Sequence, residues 1–261
     1  MTTKVSVAQV GRVKLLKLDG PDRMNAISVS TMDALVGTLE GIREDRDVGC
    51  VVIAGEGNAF SAGGDIKAMH EMTSMSFEQY VDTMHSTQAL PGIIRGLPQI
   101  VIAAINGVAA GVGLALAAAC DLRIASTSSR FVTSFAKVGF TGDGGISWLL
   151  THLVGPAKAR ELMILGETVG AADALRIGLV NRVVESAELM PTSMAMASQI
   201  ASGPTVAYRY MKANLNAAQT DTLADVVSLE KLHQARAFQT DDHREAILAF
   251  SERRSPNFTG R

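Results

Sequence analysis

Apolar positions recur along the chain with two different spacings, and the spacing assigns the first elements. Val5 and Val7 alternate with Lys4 and Ser6, and a second extended run, Val13 to Leu18, follows across Gly11. Together they predict a β-hairpin. Met32, Leu35, Val36, Leu39 and Ile42 then share one face at helical spacing, with Ser30 and Asp33 placed as a capping box at the start. Continuous apolar runs at Cys50 to Ala54, Ile100 to Ile105 and Leu122 to Ala125 predict buried strands with helical segments around them. That recurrence predicts an α/β core whose sheet is covered on both faces.

The pattern changes after residue 155. Pro156 opens a predicted helix, Ala171 to Ile177 forms another before Gly178, and Leu179 to Val184 returns to strand character. From Met194 onward the strand pattern disappears, and helices are predicted over Thr205 to Ala217, Ala224 to Phe238 and Asp241 to Arg253. The chain is thus expected to divide into a core at 1–200 and a carboxy-terminal helical module at 201–261 that serves oligomerisation. The run from Ile100 to Ala119 has nearly a membrane-spanning length of apolar side chains, but Asn106-Gly107 splits it into a strand and a small-residue helix. It is therefore read as buried core, and no membrane insertion is expected.

Composition adds exclusions. Of 261 residues, 47% are hydrophobic and 19% charged, which fits a packed globular chain. A formal net charge of -2 gives no electrostatic reason to expect a nucleic-acid partner. Cys50 and Cys120 lie in apolar stretches and are too few for a disulfide scaffold, a usage that suits the reducing cytoplasm. The amino terminus carries no signal-peptide pattern. His70, His85, His152, His233 and His243 lack metal-ligand spacing, His70 reads as an exposed helix residue, and no metal is expected. Ser61 is not set in a nucleophile elbow.

Two glycine-bearing segments carry the candidate chemistry. Ala59-Phe60-Ser61-Ala62-Gly63-Gly64-Asp65-Ile66-Lys67 follows a strand and leads into a helix, and Asn106-Gly107-Val108-Ala109-Ala110-Gly111-Val112-Gly113-Leu114 does the same. Glycines at such a junction let the main chain approach a ligand and present N–H groups where a helix terminus favours negative charge. Taken alone, the first segment reads more readily as a turn and the second as close packing. Neither has Walker or dinucleotide spacing.

Their combination resembles the enoyl-CoA hydratase/isomerase, or crotonase, superfamily. Asn25-Ala26, Ala59 to Lys67, Asn106 to Gly113, Cys120 to Ala125, Leu153-Val154-Gly155, Gly178-Leu179-Val180 and the ending from Phe250 to Gly260 all match. The resemblance implies a spiral of repeated strand-strand-helix units with a helical C-terminal region, assembled as a homotrimer or dimer of trimers. It implies an acyl-CoA thioester substrate, with no cofactor beyond the coenzyme A that the substrate carries. It places two oxyanion-binding peptide N–H groups at Gly64 and Val112. It also places CoA contacts along Ala62, Asp65 and Ile66, with Arg23 and Lys67 near the phosphates and Phe250 and Arg253 reaching from a neighbouring subunit. Arg23 and Lys67 read equally well as solvated side chains.

The acid-base positions separate this chain from a two-glutamate hydratase. The family's glutamates correspond to Ala115 and Phe135, neither of which transfers a proton. Asp143, in Gly142-Asp143-Gly144-Gly145, instead resembles a carboxylate of the isomerase and dehalogenase branches, although its glycine surroundings also suit a turn or helix cap. The expected activity is double-bond isomerisation with Asp143 as proton carrier. A hydratase or related enolate-using lyase and a non-catalytic CoA-binding protein are the alternatives. Met69, Met72, Phe77, Met84 and Leu90 are candidates for an acyl tunnel, or for ordinary core.

Overall fold

The computed structural model describes residues 2–261. Strands β1 (Lys4–Val10) and β2 (Val13–Asp19) form the antiparallel hairpin, and β2 passes into a parallel arrangement with β3 (Cys50–Gly55), β5 (Ile100–Ile105), β7 (Leu122–Ser126) and β10 (Arg182–Val184). The order of this six-stranded sheet is β1-β2-β3-β5-β7-β10. A second sheet holds short strands absent from the sequence reading: β4 (Ala59–Ser61), β6 (Val108–Ala110), β8 (Arg130–Val132) and β9 (Val169–Gly170), in that order.

The connectivity explains the two sheets. Three strands of the first sheet, β3, β5 and β7, are each followed within a few residues by a short strand of the second, and then by helix. Thus β3 and β4 lead to α2 (Ile66–Met72), α3 (Phe77–Thr83) and α4 (His85–Gly96). Likewise β5 and β6 lead to α5 (Val112–Ala119), and β7 and β8 lead to α6 (Ile146–Leu165). Because β3, β5 and β7 pair in parallel, and so do β4, β6 and β8, the chain climbs one strand spacing per turn. This is the expected spiral of strand-strand-helix units.

Alternation along the strands builds a core on both faces. Val51 and Ile53 point toward α1 (Val29–Arg43), α4 and α5, where the larger apolar cluster includes Leu35, Leu39, Ile94 and Leu116. Cys50, Val52 and Ala54 point the other way, against Leu189, Ala197 and Ala201 of α8 (Leu189–Ala201). Both cysteines are buried, and burial pushes each thiol up to about 12. All eight residues of α5 are buried, so the run from Ile100 to Ala119 folds as β5, β6 and the central helix. Among the described residues, no helix is long and apolar enough to cross a membrane.

Helices α7 (Ala171–Arg176), α9 (Thr205–Ala217), α10 (Leu223–Phe238) and α11 (Asp241–Glu252) complete the fold. One buried cation ties α9 to the core: Lys212 donates to Asp121 Oδ2 at 2.7 Å, Ile94 O at 2.8 Å and Gln99 O at 3.0 Å.

Some boundaries depart from the pattern. Ser28, not Ser30, caps α1, with its Oγ accepting from Thr31 N at 3.2 Å. The last strand begins only at Arg182 because Leu179 and Val180 donate back to Ala174 O and finish the turn after α7. Pro156 does open a helix as expected, because α6 is two helices joined across a kink at Gly155 (φ 77°, ψ 161°).

Candidate active site

The first glycine loop is held by the segment that precedes α1. Asn25, fully buried with φ of 55°, donates through Nδ2 to Glu56 O at 2.9 Å and Ala59 O at 2.7 Å. Ser61 Oγ donates to Asn25 O at 2.8 Å and accepts from Gly63 N at 3.1 Å. Ala62 N donates to Met24 O, Ile27 N to Gly63 O and Asp65 N to Ile27 O, which makes Ile27 and Gly64 a parallel bridge. The N–H groups on either side of Gly64 are thereby consumed. The Gly64 N–H takes no part in this stitching.

The second loop delivers a helix terminus. Val112 is the first residue of α5, so its N–H has no acceptor within the helix, and the aligned peptide dipoles make this end positive. The loops touch main chain to main chain, which explains the glycines: a Cβ on Gly63 (φ +93°) would lie 2.7 Å from Ala110 O, and one on Gly113 would lie 2.6 Å from Ser61 Cβ. Gly64 and Val112 flank this contact, each with its N–H outside the backbone ladder.

Asp143 reaches the same place from the third turn of the spiral. It lies between Gly142, where a Cβ would be 3.8 Å from the Phe135 ring, and Gly144, where a Cβ would be 3.1 Å from Ala115 Cβ and 3.7 Å from Val112 Cγ2. The backbone on either side of Asp143 therefore packs against Phe135, Ala115 and the start of α5. It does not cap α6, whose N-cap is Gly145, and its buried Oδ1 has no hydrogen-bond partner. Burial pushes its pKa up to about 6. Tyr80 of α3 lies within electrostatic reach of the carboxylate: its hydroxyl is pushed up first by burial and then by the charge of Asp143. Sequence carried no signal for Tyr80, since it lies on a short polar helix far along the chain.

The expected CoA-binding residues are distributed unevenly. Ala62 and Asp65 flank the Gly63-Gly64 pair, and Ile66, 74% exposed, stands with exposed Lys67 at the start of α2. Arg23 bonds to Asp65 Oδ1 at 2.5 Å. Phe250 is 86% exposed and Arg253 ends α11 in a left-handed conformation. Helix α11 packs on α10, so within one protomer neither residue is tied to the glycine loops. Of the acyl-tunnel candidates, the Met69 methyl covers the open face of Gly64, Leu90 is core, Phe77 is exposed, and Met72 and Met84 are half-buried. His70 is exposed, as its position predicts. A cavity of about 550 Å³ lies elsewhere, at the carboxyl end of α5, lined by Arg95, Ala118, Trp148, His152 and Lys212.

The enoyl-CoA hydratase/isomerase family model matches residues 9–261. The chain is 34% identical to the 1,2-epoxyphenylacetyl-CoA isomerase of Escherichia coli K12, over 95% of each sequence. It is 36% identical to a probable enoyl-CoA hydratase of Mycobacterium leprae, covering 96% of this chain and 95% of that one. A solved structure of a putative enoyl-CoA hydratase from Streptomyces coelicolor superposes with a TM-score of 0.96 at 36% identity, over 98% of this chain and 94% of that one. With a family match over nearly the whole chain and the spiral fold in place, the protein belongs to the enoyl-CoA hydratase/isomerase family, the crotonase superfamily of enzymes.

Proposed function

We propose that this enzyme moves a double bond within an enoyl-CoA thioester, with Asp143 as the only proton carrier. Asp143 takes a proton from C2 of a 3-enoyl-CoA, the electrons pass into the thioester carbonyl, and the resulting dienolate takes the proton back at C4 to give the 2-enoyl-CoA. The Gly64 and Val112 N–H groups receive the charge on the carbonyl oxygen. In strong oxyanion sites one such donor is worth roughly 2.7 to 4 kcal/mol. The observation that carries this reading is the buried, unpartnered oxygen of Asp143, in a loop whose flanking glycines pack against Ala115 and Phe135. One carboxyl suffices to remove and return a proton, whereas activating water and protonating carbon in the manner of a two-glutamate hydratase takes two. The likeness to an isomerase acting on an acyl-CoA supports it further.

On this reading Ala62, Ile66 and Lys67 follow the CoA moiety. Phe250 and Arg253 serve a neighbouring protomer in a trimer or a dimer of trimers. The test is Asp143→Asn, which keeps size and removes proton transfer. Isomerisation is expected to fall by roughly 100-fold to 10,000-fold, with ligand affinity changed much less. A folded variant that isomerises at the wild-type rate removes Asp143 from the mechanism. A substantial wild-type hydration of 2-enoyl-CoA, lost in the variant, converts the assignment to an Asp-dependent hydratase.

A further inference from the structure

The Gly64 loop carries an anion where an oxyanion site least tolerates one. Asp65 directly follows Gly64, is 6% exposed, and caps α2 by accepting from Lys67 N at 3.0 Å and Ala68 N at 3.5 Å. Burial alone raises such a carboxyl. The Arg23 guanidinium and the two N–H groups outweigh that and hold Asp65 below the usual carboxylate value, so it is charged at neutral pH. A fixed negative charge one residue from an N–H donor opposes the negative charge that the donor must receive, and it does so strongly away from bulk water.

Arg23 meets that charge directly. Its Nη2 lies 2.5 Å from Asp65 Oδ1, and its side chain is half-buried. The guanidinium is delivered by a rigid piece of backbone: the following residues, Met24 and Asn25, hold φ of 50° and 55°, and both are bonded into the glycine loop. The same segment therefore fixes the loop that bears Gly64 and neutralises the carboxylate beside it.

We propose that Arg23 is a positioning residue that masks the charge of Asp65, leaving Gly64 N–H and the positive end of α5 to act on the thioester oxygen unopposed. This rests on the reading of Gly64 as an oxyanion donor. A neutral cap would hold α2 nearly as well, so the harm done by removing the mask should be relieved when the masked charge is removed with it.

The test is a mutant cycle of Arg23→Gln, Asp65→Asn and the double variant. Turnover of a 3-enoyl-CoA, affinity for free coenzyme A and thermal stability are measured for each. Arg23→Gln is expected to lower kcat roughly 10-fold to 100-fold, the effect of an exposed unit charge within about 10 Å at an effective dielectric near 20. The Arg23→Gln loss should largely vanish when it is measured in the Asp65→Asn background, an interaction that adjacent sites show and independent ones do not. Free coenzyme A, which has no thioester oxygen, should bind Arg23→Gln as it binds the wild type.

A rise in KM and in the dissociation constant of free coenzyme A for Arg23→Gln, without rescue by Asp65→Asn, would instead make Arg23 a phosphate contact and overturn the mask. So would losses of kcat that simply follow losses of stability. Solvent-deuterium exchange at the α-carbon separates the two levels of the argument. A wild-type protein that neither isomerises nor exchanges sinks the oxyanion reading and the mask together. An active wild type whose exchange is untouched by Arg23→Gln sinks the mask alone.

Discussion

Asp143 is held as an anion where the fold would rather have an acid. Displacing its pKa from 3.8 to about 6 means that folding favours the protonated form. The sign follows directly: below pH 4 the carboxyl is neutral in both states and costs nothing, and stability is lost as pH rises through 6. In the ionised form the penalty is roughly 1 to 3 kcal/mol. Asp143→Asn should therefore be more stable than the wild type at pH 7 by about that amount, with the gain shrinking toward pH 4, as paired thermal melts across that range will show. A variant of equal or lower stability at pH 7 contradicts the burial argument. The kcat/KM of the wild type should fall as pH drops below about 6, because the base is then protonated. At this scale much was legible in sequence: Gly63, Gly64, Gly111 and Gly113 announce a close backbone contact, and Asp143 stands out once Ala115 and Phe135 replace acids. Asn25 and Ser61 were not legible, since a polar residue in a turn looks the same whether it is exposed or, as here, fully buried and bonded to the loop.

Among the elements, long strands declared themselves by apolar runs, while β4, β6, β8 and β9 did not, because two or three residues cannot display a period. The whole second sheet was therefore invisible to residue spacing, although it carries the chain to each part of the site. Helix α9 hid its function for another reason: Lys212 sits in a polar, amphipathic sequence but is 5% exposed. All three of its donors are used on Asp121 and on the carbonyls that end α4 and precede β5. Removing one partner of a buried pair leaves the other charge uncompensated, at a cost of about 3 to 5 kcal/mol. Lys212→Met should destabilise by that order and loosen α9 to α11 first, seen as faster amide exchange in these helices than in β3 and β5. Wild-type stability in Lys212→Met would show that the anchor is dispensable.

Viewed as a whole molecule, the chain is a closed spiral with an open helical end. The core buries its apolar residues on both faces of the first sheet, yet Leu223, Leu232 and Phe238 on α10 and Ile247 and Phe250 on α11 are all more than 60% exposed. A surface of that kind calls for a partner. Light scattering should report a trimer or hexamer, and Leu223→Ser with Phe250→Ser should shift it toward monomer; a wild-type monomer with full turnover of an acyl-CoA would count against this assembly. The climb of the spiral has one more consequence. Gly64 and Val112 lie just beyond the short strands β4 and β6 of successive turns, so their mutual spacing is inherited from parallel neighbours about 4.8 Å apart. The excursion through α2 and α3, neither of which holds a fully buried residue, is thus free to drift in length and composition, and a graft there from a relative would change which acyl groups are admitted while Gly64 and Val112 kept their spacing.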